Sequence, residues 1–161
     1  MRGWDVSTAG ADDAAYGNGT LPAGVRSRII ENINGLSMHV LEAGQPGDPC
    51  ILLLHGFPEL AYSWRKIMLS LAGAGFHAVA PDQRGYGRTT GWDPDYDGGF
   101  DSFRVLNLVR DTLGLISGLG YRSVAAVIGH DLFENLHVLS MGIQLAAVWG
   151  LLVVLEKPAA S

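Results

Sequence analysis

The sequence predicts an α/β fold in which an N-terminal β-hairpin leads into a mostly parallel sheet flanked by helices. Three observations carry that expectation. Two β-type runs, Arg26 to Ile33 and Leu36 to Ala43, meet at Asn34-Gly35, the strongest short hairpin signal. One continuous apolar run, Cys50–Leu54, and two further short, mainly apolar strands, Phe76–Ala80 and Ser123–Ile128, suit strands buried in a sheet. Between them lie two stretches with the apolar period of a helix, so the chain from Cys50 onward reads β-α-β-α-β.

The elements follow in order. Residues 1–24 are small, polar and rich in Gly and Ala, as in a flexible arm. After the hairpin, Gly44 to Pro49 forms a turn. The first helix starts near Ser63, buries Trp64, Ile67, Met68 and Leu71, and stops at Gly73 to Gly75. Gly85 to Gly99 is a long loop. The second helix is capped by Asp101 or Ser102, turns Leu106, Val109, Leu113 and Ile116 inward, and closes at Gly118 and Gly120. This organisation divides the chain into an arm over 1–24, a core over 25–131 and a divergent apolar tail over 132–161.

Composition bounds the function. A length of 161 residues with 48% apolar and 17% charged residues suits one globular domain. The net charge of -5, without a basic run, argues against a nucleic-acid partner. The single Cys50 excludes an intrachain disulfide and sits in an apolar run as an inert thiol. The five histidines, at 39, 55, 77, 130 and 137, show no ligand spacing with Cys50 or a carboxylate, so no metal is expected. No apolar segment follows Arg2, which predicts a cytoplasmic protein and makes the acceptor pattern at Asn18 a coincidence.

In open parallel sheets, ligands bind beyond the carboxyl ends of the strands. Three candidate features fall there. His55-Gly56-Phe57-Pro58 offers close backbone approach and a stiffened turn that can aim the Phe57 N–H into a pocket; its bland reading is an ordinary strand-to-helix turn. Asp82-Gln83-Arg84-Gly85-Tyr86-Gly87 lacks the third glycine of a dinucleotide site and opens onto a loop, so it reads as a turn in which Arg84 and Asp82 pair with each other or with the backbone. In Gly129-His130-Asp131, the Asp is a nucleophile lifted on a sharp turn or the N-cap of the next helix. His130 points the other way off that turn and reads as a packed histidine.

Together, in this order and spacing, LLLHGFPELAYSW, VAPDQRGYGRT and VAAVIGHD resemble the α/β-hydrolase superfamily, specifically its epoxide hydrolases and their dehalogenase relatives. The likeness runs from about Leu21 to Asp131. It implies Asp131 as nucleophile, and the backbone N–H groups of Phe57 and Leu132 as the oxyanion hole. His55, Gly56, Pro58, Gly129 and His130 would support them, with a small hydrophobic epoxide as substrate and no cofactor. The chemistry suits an Asp. A serine alkoxide attacking an alkyl carbon would leave an ether, whereas a carboxylate leaves an ester that activated water can cleave. Phe57 in HGFP resembles the epoxide hydrolase version. The alternative the resemblance leaves open is a haloalkane or haloacid dehalogenase.

The likeness stops at the elbow. The pattern there wants a small residue two positions after the nucleophile, and Phe133 occupies that place. The family's cap tyrosines, later acid and late His normally lie well downstream, and after Asp131 only Glu134, Glu156 and His137 supply acids and a histidine. A truncated α/β-hydrolase fold, inactive or impaired by itself, is therefore expected. The tail Val138–Leu155 is apolar apart from Ser140 and Gln144, and slightly short of the ~20 residues of a membrane span. A buried helix followed by a strand over Gly150–Leu155 is the favoured reading, with tail-anchoring as its rival and a segment foreign to the family as the third. Without cover from that tail, the Ser123–Ile128 strand would lie at or near an open edge.

Overall fold

The structure is a computed structural model that describes residues 19–95, 100–129 and 152–155. It contains strands β1 (Val25–Ile33), β2 (Leu36–Ala43), β3 (Cys50–Leu54), β4 (His77–Pro81), β5 (Ala126–Gly129) and β6 (Leu152–Leu155), with helices α1 (Arg65–Gly73) and α2 (Val105–Gly118). Among the described residues these strands form one sheet in the order β1-β2-β4-β3-β5-β6. The hairpin turns at Asn34 and Gly35, whose φ values of 50° and 80° match the primed turn that Asn-Gly favours. β2 runs antiparallel to β4, and β4, β3 and β5 are mutually parallel. β6 returns antiparallel along the outer edge of β5, so the edge expected to lie open is covered by part of the tail.

The handedness of parallel connections decides where the helices go. The chain moves from β3 to β4 in one direction and from β4 back past β3 to β5 in the other. Because both crossovers are right-handed by strong preference, reversing direction sends the helices to opposite faces. On one face, Ala61, Trp64 and Met68 pack over Leu41, Ala43, Ile51, Leu53, Ala78 and Ala80, and Leu21 joins them half-buried. On the other, Leu115 covers Ile30, Ile33, Met38, Val40, Leu52 and Val79. Leu52, Leu53, Val79 and Ala80 are fully buried, as expected of central strands covered on both sides.

α1 turns its expected face inward except at Ile67, with Trp64 and Met68 buried and Leu71 packed against the core, whereas α2 keeps only Ile116 of its expected face against the core. A 3-10 turn over Ala61–Trp64 precedes α1 and adds the buried Ala61 to that face, while Ile67 is exposed. In α2, Leu106, Val109 and Leu113 face outward, and Asp111 and Leu115 are buried. Leucines stand on both sides of this helix, so apolar period alone does not choose its inner face. Two local contacts do. A Cβ on Gly118 would stand 2.7 Å from Ile33 Cδ1, so the glycine lets the helix lie close on β1. Asp111 meanwhile reaches inward to Arg84 and to Asn34 Nδ2 at 2.6 Å. The start of the helix also differs from expectation: a 3-10 turn spans Phe100–Phe103 and Arg104 occupies the N-cap, in place of Asp101 or Ser102.

The end of the sheet away from the strand-end loops carries a separate polar cluster. Arg28 grips the buried Glu42 through two hydrogen bonds of 2.9 and 2.8 Å. His77 Nε2 lies 3.4 Å from Glu42, and the Tyr121 hydroxyl, which accepts the Gly47 N–H, shares a 2.8 Å hydrogen bond with His77 Nδ1. Burial pushes the Glu42 carboxyl up, but His77 and Arg28 together outweigh it and hold the group at about 2. Burial raises the neighbouring Cys50 thiol to about 12, with a further push from Glu42, which fits an inert core cysteine. No described helix is long and apolar enough to cross a membrane. The candidate span Val138–Leu155 lies outside the described residues except for β6.

Two predictions test this arrangement. Leu115→Ala should lower the unfolding free energy by about 2–5 kcal/mol, whereas Leu113→Ala should change it by less than about 0.5 kcal/mol in urea titrations. Equal losses would contradict the observed face of α2. Glu42 has a folded-state pKa below its unfolded one, so its stabilisation is full above pH ~4.5 and is lost as pH falls toward 2. That loss should amount to about 3 kcal/mol, and Glu42→Gln should flatten the pH dependence of stability in this window.

Candidate active site

The register of the sheet assembles the site. Leu54, the last residue of β3, pairs with Gly129, the last residue of β5. The loop that begins with His55-Gly56-Phe57-Pro58 therefore leaves the sheet beside the end of β5. β4 flanks β3 on the other side and sends Asp82 to Thr90 over that end. His130, Asp131, Leu132, Phe133, Glu134 and His137 lie outside the described residues.

His55 is fully buried and acts as a strut. Its Nε2 receives the backbone N–H of Gln83 at 2.9 Å. An N–H can only donate, so Nδ1 carries the ring proton and gives it to Gly56 O at 2.9 Å. Gln83 Nε2 in turn donates to His55 O. Both nitrogens are thus committed to holding the β3 and β4 ends together, and the Tyr86 ring meets His55 edge-on with centroids 5.1 Å apart. Gly56 O also accepts Glu59 N–H at 2.9 Å, closing a turn over Phe57 and the cis-bonded Pro58. Within that turn the Phe57 side chain is 71% exposed, and no carbonyl among the described residues takes its N–H. A turn braced in this way can present a backbone donor to a developing oxyanion.

Asp82 is the hub of the site. Its Oδ1 accepts Ala61 N–H at 2.9 Å, and Oδ2 accepts Arg88 N–H at 3.2 Å and His39 Nδ1–H at 2.8 Å. Thr89 Oγ1 donates to Asp82 O and accepts His39 N–H. Burial raises the Asp82 carboxyl, and the hydrogen bonds from His39, Ala61 and Arg88 more than reverse this, holding it below the usual carboxylate range. Gly87 is required beside it: φ is +54°, and a Cβ there would run into the carboxylate. Of the two expected arrangements, Asp82 takes the one with the backbone, at the Ala61 and Arg88 N–H groups, and does not pair with Arg84. Arg84 instead makes a two-pronged contact with Asp111, at 2.8 and 2.7 Å, because the strand end turns the two side chains apart.

Ser27, His39 and Asp82 form a continuous chain, with Ser27 Oγ 2.9 Å from His39 Nε2. Its order is that of a nucleophile, base and orienting acid. Its setting is structural: all three residues are buried, and the carboxylate is also spent on two loop amides. Sequence reasoning missed this chain. The available signal was a histidine set among Met38, Val40 and Leu41 in a β-type run, which needs a buried partner. Among the described residues, no group of three His, Cys, Asp or Glu side chains could hold a metal ion.

Asp82→Asn places an NH2 against donors and removes the charge His39 faces. It should lower the unfolding free energy by about 3 kcal/mol, measured by urea denaturation. A change below about 0.5 kcal/mol would contradict the hub role.

Residues 49–132 match the family model for the alpha/beta hydrolase fold. The chain is 42% identical over 108 residues to epoxide hydrolase A of Mycobacterium tuberculosis, an alignment covering 67% of this chain and 32% of that protein. It is 45% identical over 103 residues to epoxide hydrolase 3 of Siraitia grosvenorii, covering 64% and 30% respectively. The crystal structure of epoxide hydrolase A from Mycobacterium thermoresistibile superposes with a TM-score of 0.59 at 42% identity, over 66% of this chain and 31% of that one. The chain spans about a third of the length of the curated relatives it matches.

Proposed function

Because the chain belongs to the α/β-hydrolase fold family, we propose that its strand-end site carries out the alkylation step of epoxide hydrolysis, with Asp131 as nucleophile. The observation that carries this reading is the family match, which continues through Leu132 and so takes in Asp131. The similarity to proteins named epoxide hydrolases supports the substrate class, a small hydrophobic epoxide. The braced turn at Phe57 supports an oxyanion hole, with Leu132 N–H as its second donor and His55, Gly56, Pro58, Gly129 and His130 as its scaffold.

The chemistry runs in two steps. A carboxylate oxygen of Asp131 attacks a ring carbon, forming an ester C–O bond as the ring C–O bond breaks, and the ring oxygen leaves as an alkoxide that takes up a proton. In the second step, water adds to the ester carbonyl carbon. The oxyanion that forms is held by the two N–H groups, and collapse of the intermediate releases the diol and restores the carboxylate. That second step needs a base facing the ester. His137 follows Asp131 too closely in the chain to reach over its carboxylate, and Glu134 and Glu156 are the acids in residues 132–161. The 161-residue polypeptide is therefore assigned the first step alone, slowed further by the bulk of Phe133 at the elbow.

Incubation of the polypeptide with styrene oxide, followed by peptide mass spectrometry, tests this. The expected result is one epoxide-mass adduct on the peptide containing Asp131, abolished by Asp131→Asn, with no diol above the blank. Sustained diol formation that depends on Asp131 would overturn the restriction to one step. Absence of both adduct and diol would overturn the nucleophile assignment.

A further inference from the structure

A strand that ends beside a reacting group is only as well placed as its two edges allow. β5 has four residues, and its inner edge pairs with β3 from Ile51↔Ala126 to Leu54↔Gly129. Its outer edge pairs with β6 along its whole length: Ala126↔Leu155, Val127↔Val154, Ile128↔Val153 and Gly129↔Leu152. The antiparallel direction brings the first residue of β6 beside Gly129, the last residue of β5 and two positions before Asp131. We propose that β6 is a positioning strand for the site, holding the end of β5 in register from the side opposite β3. This deepens the proposed function and rests on it.

The sequence of β6, Leu-Val-Val-Leu, suits the role: it has no charge, glycine or proline, and its centre is β-branched. A strand of four residues paired on one edge alone would fray, and the geometry of a nucleophile tolerates misplacement of only a fraction of an ångström. Pairing on both edges satisfies the backbone groups of β5 on either side and removes the open edge it would otherwise present. Residues 132–161, expected from sequence to be a tail divergent from the core, thus supply a strand to the sheet that carries the site.

The test uses the full chain and two readouts. In the unmodified protein, amide exchange at Ala126–Gly129 should be slowed to the level of β3. Exchange at the rate of a frayed edge would overturn the pairing itself. Replacing Val153 and Val154 together by proline removes the ladder donor, whichever of the two amides faces β5. Protection at Ala126–Gly129 should then fall while β2 and β4 stay protected. The saturating rate of Asp131 labelling by styrene oxide should drop about tenfold or more, with the half-saturating concentration changed less than about twofold. Replacing the same pair by isoleucine should restore both readouts. Labelling at the unmodified rate in the proline variant, or equal loss in the isoleucine variant, would overturn the positioning role. If the proline variant loses the whole sheet, a disulfide between Val127→Cys and Val154→Cys in a Cys50→Ser background decides: its formation supports the register, and its failure overturns it. An unmodified chain that takes no label overturns the nucleophile assignment and with it the positioning role, while amide exchange still reports whether β5 and β6 pair.

Discussion

The buried carboxylate of Asp82 is the constraint on which the strand-end region depends. It stands at the carboxyl end of β4 and accepts from a side chain of β2, the turn before α1 and the loop after β4. The loop meets β2 through Asp82 N–H to His39 O and Thr90 N–H to Ser37 O, and the carboxylate joins the turn before α1 to both. An ionised carboxylate is well suited to joining them, because it has several acceptor positions and each charge-assisted bond exceeds a neutral one. Burial works against the charge, and the donors around it win, as the depressed pKa records. The His39–Ser27 extension carries the constraint out to the edge strand β1.

From this hub the rest of the site follows through short links. Ala61 begins the turn that sets Trp64 and Met68 on the sheet, so the same contact that satisfies Asp82 also registers α1. Gln83, next in sequence, fixes the tautomer of His55, and His55 fixes the turn that presents Phe57. Arg84 then takes the other direction, pairing with Asp111 and thereby choosing the inner face of α2. Three consecutive residues after β4 thus hold the β3 loop, the first helix and the second helix. The two ends of the sheet divide the work: the Arg28–Glu42–His77–Tyr121 cluster ties the strands together at the far end, leaving the strand-end loops to shape a site.

β5, which ends two residues before Asp131 in the sequence, is placed by the same logic. It is held between β3 and β6, and its end is aligned with the end of β3. A nucleophile and an oxyanion donor drawn from adjacent parallel strands need no long-range packing to meet. They need only matched strand ends and a turn stiff enough to keep an N–H pointing outward.

The sequence by itself determined the α/β class, the Asn-Gly hairpin, the buried strands and the strand-end positions of the candidate site, because these depend on local turn chemistry and on runs of apolar residues. Its motifs also carried the resemblance to the α/β-hydrolases that the family match bears out. Tertiary structure alone decided which face of α2 turns inward, that Arg84 pairs with Asp111, and that β6 seals the edge of β5. The reason is physical. α2 is apolar on more than one side, so its orientation rests on a close approach at Gly118 and an ion pair between residues distant in sequence. Such contacts leave no periodic trace in the chain and exist only once the sheet has brought their partners together.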